Sequence, residues 1–233
     1  MNPKKKFYET AAETLIKNLD KRGMEAYYVD NGEEALKMAL RFVTPGSSVS
    51  WGGSMSINEI GLIPALKASD CVVLDRTVPK TDEEKKEFFS KVAVCDYYFM
   101  STNALTMGGE LVNIDGNGNR VASLIFGPSN VIVIAGMNKV TDNLEAAIAR
   151  ARNTAAPMNT IRLDKNTPCT QVGRCCNCMS TDCICNQFVV TRRSAPAGRI
   201  KIILVGEELG YYCLLYTSPS PRDQRGSRMP SSS

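Results

Sequence analysis

Short apolar segments alternate with amphipathic helical segments along most of this 233-residue chain, and this alternation restricts the possible folds. A strand that is followed by a helix and then by another strand favours a parallel sheet, because the crossover helix returns the chain to the starting edge. We therefore predict an α/β domain with a mainly parallel sheet and flanking helices. The predicted strands of this sheet cover residues 26–29, 47–51, 71–75, 96–101, 131–135 and 199–205.

Further predicted strands and a low-complexity tail complete the expected organisation of the chain. Residues 110–115 and 120–126 are predicted to be strands around a tight Gly-Asn-Gly-Asn turn, and residues 188–191 are predicted to be another strand. The segment 212–233 is rich in Ser, Pro and Arg, and its composition predicts a disordered tail. It resembles translated vector or adapter sequence, so the expected domain is residues 1–211.

The absence of histidine excludes several common kinds of active site. With no His among the 233 residues, Ser-His-Asp and Cys-His catalysis and His-based zinc sites are ruled out. The formal net charge of +4 is too small to indicate a nucleic-acid partner. The longest apolar run, residues 131–135, is far shorter than the roughly 20 residues of a membrane span. The N-terminus has no apolar targeting segment, so we expect a cytoplasmic protein.

A glycine-rich turn follows the predicted strand 47–51. Gly52, Gly53 and Ser54 lead from this strand into a predicted helix, where Ser56 and Glu59 have the spacing of a capping box. Such a turn lets the backbone approach an anionic ligand closely. An ordinary strand-to-helix turn explains the same residues, so both interpretations stay open.

Small polar residues also follow the later strands of the predicted sheet. Ligands of open α/β sheets bind beyond the carboxyl ends of the strands, which is where these residues fall. The alternative to ligand binding is that these are ordinary turn residues and that Lys139 is a solvated surface lysine. Glu110 is a weak candidate for a catalytic base or nucleophile, and a surface glutamate is the alternative. The other predicted ligand-binding residues of this group are Asn103, Thr106, Gly108, Gly109, Arg120, Asn138 and Lys139.

Six of the nine cysteines lie within residues 169–185. In a reducing compartment such a cluster favours a metal site over disulfides, although disulfides and free thiols are the alternatives. Four thiolates complete the ligand shell of a zinc ion or an iron–sulfur cluster. Because the spacing C-x5-C-x2-C-x6-C is typical of neither a zinc ribbon nor a ferredoxin, it does not identify the metal. The candidate ligands are Cys169, Cys175, Cys178 and Cys185, with Cys176 and Cys183 as alternates.

Long stretches of the chain resemble the LUD-domain family, which is associated with lactate utilisation. The resemblance is carried by residues 52–62, 103–128, 131–157 and the cysteine segment closing on 199–211. It implies a short form of the family with a C-terminal cysteine cluster, in which Cys169, Cys175, Cys178 and Cys185 correspond to the family's four cysteines. It also implies a fold similar to the sugar-phosphate isomerase and CoA-transferase superfamily.

Two functions are therefore expected, and the sequence does not decide whether the chain is itself an enzyme. The first is an accessory or electron-transfer component of L-lactate oxidation to pyruvate, which acts beside iron–sulfur subunits. The alternative is an enzyme of the isomerase-like superfamily that acts on a small anionic metabolite and carries a structural zinc site.

Overall fold

The structure is a computed structural model that describes residues 2–211, so the predicted tail at 212–233 lies outside the described residues. Its strands form one sheet of six and one sheet of four. In chain order they are β1 (Glu25–Val29), β2 (Ser48–Trp51), β3 (Val72–Val73), β4 (Tyr97–Met100), β5 (Ala104–Thr106), β6 (Leu111–Asp115), β7 (Asn130–Gly136), β8 (Val140–Thr141), β9 (Gln187–Thr191) and β10 (Ile200–Val205).

The helices surround the larger sheet. In chain order they are α1 (Pro3–Asp20), α2 (Gly32–Arg41), α3 (Met55–Glu59), α4 (Leu62–Lys67), α5 (Asp82–Val92), α6 (Asn119–Ile125), α7 (Leu144–Arg150), α8 (Ala156–Arg162) and α9 (Pro168–Val172). A single 3₁₀ turn, Met137–Lys139, follows β7, and a π-helical turn, Ala151–Ala155, joins α7 to α8. No helix in the described part of the chain is long and apolar enough to cross a bilayer.

The six-stranded sheet has the order β1-β10-β7-β4-β2-β3, and every neighbouring pair is parallel. This arrangement confirms the predicted α/β class. Along the central strand β7, Val131 and Val133 pack with α1 and α5, whereas Ile132 and Ile134 pack with α2, α3 and α4 on the other face. Because successive side chains of a strand point to opposite faces, a strand covered on both sides must be apolar throughout.

The smaller sheet has the order β8-β5-β6-β9, and β6 is antiparallel to both of its neighbours. The predicted strand 120–126 is wrong, because these residues fall in α6 and its end. Gly118 adopts a left-handed conformation (φ 81°), and the Asp115 carboxylate accepts the backbone N–H groups of Gly118 and Val121. These interactions turn the chain into a helix, and the distant β9 pairs with β6 instead.

Candidate functional site

A cleft of about 410 Å³ opens at the carboxyl edge of the six-stranded sheet. Four segments that follow parallel strands contribute to it: Gly53 after β2, Ser101 after β4, Lys139 after β7 and Gly210 after β10. The cleft is strongly basic, because the described residues give its wall five cationic side chains and one carboxylate. The cations are those of Arg76, Arg120, Lys139, Arg162 and Lys165, and the carboxylate is that of Asp115.

Lys139 is the most unusual of these cations because it is 5% exposed. Its ammonium donates hydrogen bonds to the Ser56 hydroxyl at 2.6 Å and to the Ser101 hydroxyl at 2.7 Å. No ion pair in the described part of the chain includes Lys139. Burial, and then the nearby charge of Arg150, lower its pKa to about 7. A large share of this side chain is therefore an uncharged amine near neutral pH.

The predicted capping box of α3 is wrong, and the residues assigned to it act elsewhere. Ser54 caps the helix instead, because its hydroxyl accepts the Ile57 N–H at 3.4 Å. Ser56 is thereby available to contact Lys139. The Glu59 carboxylate accepts the Gly210 N–H at 2.6 Å and so fixes the segment after β10 to α3.

Asn138 positions the turn that carries Lys139 and does not line the cleft. Its side-chain oxygen accepts the Leu209 N–H at 3.2 Å, which ties the end of β7 to the segment after β10. Gly136, just before the turn, packs closely against this segment. A Cβ atom there would lie 2.6 Å from both the Glu207 carbonyl oxygen and the Leu209 nitrogen.

Arg120 lines the cleft but is committed to holding the surrounding loops together. Its aliphatic stem crosses Gly52, where an added Cβ would lie 3.0 Å from the arginine Cγ and Cδ. Gly52 is therefore needed for packing, and it does not line the cleft itself. The guanidinium reaches five acceptors: the carbonyls of Ser101 and Ile114, the side-chain oxygens of Asn113 and Asn103, and the Asp115 carboxylate at 3.5 Å.

Glu110 and the turn before it lie apart from the cleft. The Glu110 carboxylate forms an ion pair with Arg22, which follows α1, and accepts the Thr106 hydroxyl. Arg22 also donates to the Gly108 carbonyl at 2.5 Å, and its side chain packs on Gly109. Although burial acts to raise the pKa of Glu110, hydrogen bonds from Thr106, its own backbone N–H and Arg22 hold it below its usual value.

Of the sequence-predicted ligand residues, the cleft therefore brings together Gly53, Ser54, Asn103, Arg120 and Lys139. The ligand residues predicted from the sequence do not include Ser56, Ser101 or Arg162. Ser101 had a usable signal, because it ends a predicted strand and so falls at the carboxyl edge. Arg162 had none, because only the packing of α8 brings it to this edge.

The cysteine segment 169–185 places several sulfur atoms near one another. Cys169 is buried, whereas Cys175, Cys178, Cys183 and Cys185 are half-buried. The Cys185 N–H donates to the Cys183 sulfur at 3.5 Å, and the Cys178 thiol lies near that of Cys183. Burial first, and then the neighbouring Cys183, Cys175 and Cys169, raise the pKa of Cys185 to about 12.

The chemistry of this donor set fits a thiolate-bound ion or cluster. The side chains do not form a coordination shell, because within residues 2–211 no three Cys, Asp or Glu side chains lie close enough together to bind one metal ion. Cys176 is exposed, and its thiol donates to the Arg174 carbonyl at 3.6 Å.

The cysteine segment and the cleft share a wall. Ile184, between Cys183 and Cys185, lines the cleft and packs on Gly116, where an added Cβ would lie 3.3 Å from the Ile184 carbonyl oxygen. A change in the conformation of the cysteine segment would therefore alter the wall of the cleft directly.

One solved structure with a similar fold covers most of this chain. The crystal structure of a DUF162 family protein from Deinococcus radiodurans has a TM-score of 0.51 and is 11% identical, covering 85% of this chain and 98% of that chain. A D-ribose-5-phosphate isomerase in complex with phospho-erythronic acid has a TM-score of 0.34 at 20% identity, covering 48% of this chain and 54% of that one. Ribose 5 phosphate isomerase A from Neisseria gonorrhoeae has a TM-score of 0.33 at 17% identity, with the same coverages of 48% and 54%.

The search of curated proteins finds no match. The family comparison is decisive, because the model of the LUD domain matches residues 12–205, which is most of the chain. The chain therefore belongs to the LUD-domain family.

Proposed function

We propose that this LUD-domain protein acts in lactate utilisation by binding a small anionic metabolite, a carboxylate or a phosphate, in the basic cleft. The observation that carries the proposal is the excess of positive charge there. Arg120 and Asp115 pair with each other, but Arg76 and Arg162 form no ion pair within the described residues, and the protonated fraction of Lys139 adds to their charge. Arg76 and Arg162 are exposed and Lys139 is buried, and cations that share a concave wall concentrate the field and attract anions.

The size of the cleft supports a small ligand. A volume of about 410 Å³ falls in the lower part of the usual range for small-molecule sites. The polar lining also matches a compact, highly polar metabolite, since hydroxyls and amides from Ser54, Asn103 and Asn159 surround the cations.

Differential scanning fluorimetry and calorimetry with L-lactate, pyruvate, inorganic phosphate and a sugar phosphate test the proposal. We expect at least one anion to raise the melting temperature, and Arg162→Met to remove most of that shift, because Arg162 is a cation of the cleft wall without an ion-pair partner among the described residues. Arg193→Met is the matched control, because Arg193 is exposed and does not line the cleft. No shift with any of these anions, or the same shift in both variants, would contradict the proposal.

We further propose that the cysteine segment holds a metal ion or an iron–sulfur cluster through thiolates. The proximity of the sulfur atoms of Cys169, Cys175, Cys183 and Cys185 supports this assignment. Cys178 is the next candidate through its contact with Cys183, and the contacts favour Cys183 over the exposed Cys176. A cluster would supply electron transfer beside iron–sulfur subunits of lactate oxidation, whereas zinc would cross-link the segment.

Anaerobic purification followed by iron, acid-labile sulfide and zinc assays tests this second proposal. Iron with sulfide supports the electron-transfer role, and zinc alone supports a structural role. Cys183→Ser should lower the metal content, whereas Cys71→Ser should not, because Cys71 lies outside the segment. A chain that purifies anaerobically without either metal would refute the proposal.

A further inference from the structure

The amine of Lys139 is buried in an arrangement that stability alone does not explain. A buried ammonium without a carboxylate partner costs several kcal/mol, and proteins usually avoid this cost by pairing the charge. Within the described chain, the amine forms side-chain hydrogen bonds only with the neutral hydroxyls of Ser56 and Ser101. An ionisable group that is buried without a charged partner in a cleft is a candidate for a functional residue.

The charges around Lys139 favour its neutral form. Burial and the cationic side chains of Arg150 and Arg120 lower its pKa, and only the carboxylate of Glu59 acts in the opposite direction. Desolvation and a nearby cation are the two conditions that turn a lysine into a nucleophile towards carbonyl carbons. Lys165, the other lysine of the cleft wall, is less suited because it is half-buried and 3.8 Å from Asp182.

We propose that Lys139 forms an imine with a small anionic carbonyl compound bound in the cleft. The inference deepens the proposed anion-binding function and rests on it, since Arg76 and Arg162 would hold the carboxylate or phosphate of this compound. The ligand class is thereby narrowed to a 2-oxo acid or a phosphorylated ketone or aldehyde.

The reaction balances without an oxidant or a reductant. The Nζ lone pair forms a bond to the carbonyl carbon, and the π electrons move to the carbonyl oxygen, which takes up a proton. Loss of that oxygen as water leaves a C=N bond, so one amine and one carbonyl give one imine and one water. The Ser56 and Ser101 hydroxyls, both in contact with Nζ, are placed to pass protons between the nitrogen and the departing oxygen.

Borohydride trapping of the full chain tests the inference. The protein is incubated separately with pyruvate and with dihydroxyacetone phosphate, reduced with sodium borohydride, and analysed by intact mass and peptide mapping. We expect one reduced adduct per chain, located on Lys139, with at least one of the two compounds. Its rate of formation should rise with pH through about 7, as the amine loses its proton.

Two variants and a binding measurement separate the outcomes. Lys139→Arg keeps a long basic side chain but removes the nucleophilic amine, so it should lose the adduct, while Lys37→Arg should keep it. Peptide mapping of the adduct in the unaltered chain identifies the reactive lysine even if Lys139→Arg does not fold. Adducts absent, or scattered over surface lysines, in a protein that anions still stabilise would overturn the imine and leave the anion site standing. Loss of both the adduct and the stabilisation would overturn both proposals.

Discussion

The Nζ atom of Lys139 lies 2.7 Å from the hydroxyl oxygen of Ser101, although the two residues are 38 positions apart in the chain. They meet because β4 and β7 are neighbouring parallel strands, and each residue follows the carboxyl end of its strand. Ser56, which follows β2 by a short turn, completes the contact from the next strand along the sheet. The central contact of the cleft is therefore a consequence of parallel strand order.

The buried amine should make the stability of the protein depend on pH. The pKa of Lys139 is about 7 in the folded protein, against a usual value of 10.5. Between these values the unfolded chain binds more protons than the folded one, so this residue makes the free energy of unfolding increase with pH. The slope is at most about 1.4 kcal/mol per pH unit. Below pH 7 the contribution is constant and unfavourable.

Urea unfolding of the unaltered chain and of Lys139→Met at pH 6, 7.5 and 9 isolates this effect. The variant should be the more stable protein at pH 6, and its advantage should shrink as pH rises. A difference that does not change with pH would show that Lys139 keeps an ordinary pKa.

Replacing Arg120 should destabilise the fold strongly. Arg120→Ala leaves the Asp115 carboxylate, which is 8% exposed, without its ion-pair partner and removes four further hydrogen bonds. Breaking a buried pair in this way costs about 3–5 kcal/mol. Chemical denaturation measures the loss, with Arg193→Ala at an exposed position as the control, expected within about 0.5 kcal/mol of the unaltered chain. Equal stabilities of the two variants would refute the structural role of Arg120.

Gly136 should tolerate no side chain. Its φ of −64° suits any residue, but an added Cβ would lie 2.6 Å from two backbone atoms, so the cost is steric. We expect Gly136→Ala to cost about 1–3 kcal/mol and to weaken anion binding, because the displaced turn carries Lys139. Gly46→Ala is the comparison: its φ is +77° with no atom within 4 Å, so only backbone strain of about 1 kcal/mol applies. Full anion binding by a destabilised Gly136→Ala would contradict this coupling.

Glu110 should stabilise the protein without taking part in the cleft's chemistry. Glu110→Gln keeps the shape but removes the charge that Arg22 pairs with, so we expect a loss of about 1–3 kcal/mol in the free energy of unfolding. Anion-induced thermal shifts and adduct formation at Lys139 should be unchanged. A variant of normal stability that loses either property would instead place Glu110 in the site.

The parts of the fold that follow from local pattern could be predicted from the sequence. The apolar run 131–135 lies within β7, and the alternation of strands and helices predicted the parallel sheet. The strand predicted at 120–126 was wrong because its apolar residues suit either a strand or a short helix. The carboxylate of Asp115, acting on two backbone N–H groups, decided in favour of the helix.

By itself the sequence determined the α/β class, the edge of the sheet at which the polar residues of the cleft collect, and the cluster of cysteines, because each depends on local order along the chain. The tertiary structure alone decided that Lys139 is buried between two serines, that Arg120 is a structural link and that Glu110 lies with Arg22. These outcomes depend on which distant side chains exclude water from a given group. Desolvation and ion pairing act through space, so they appear only when the strands are placed side by side.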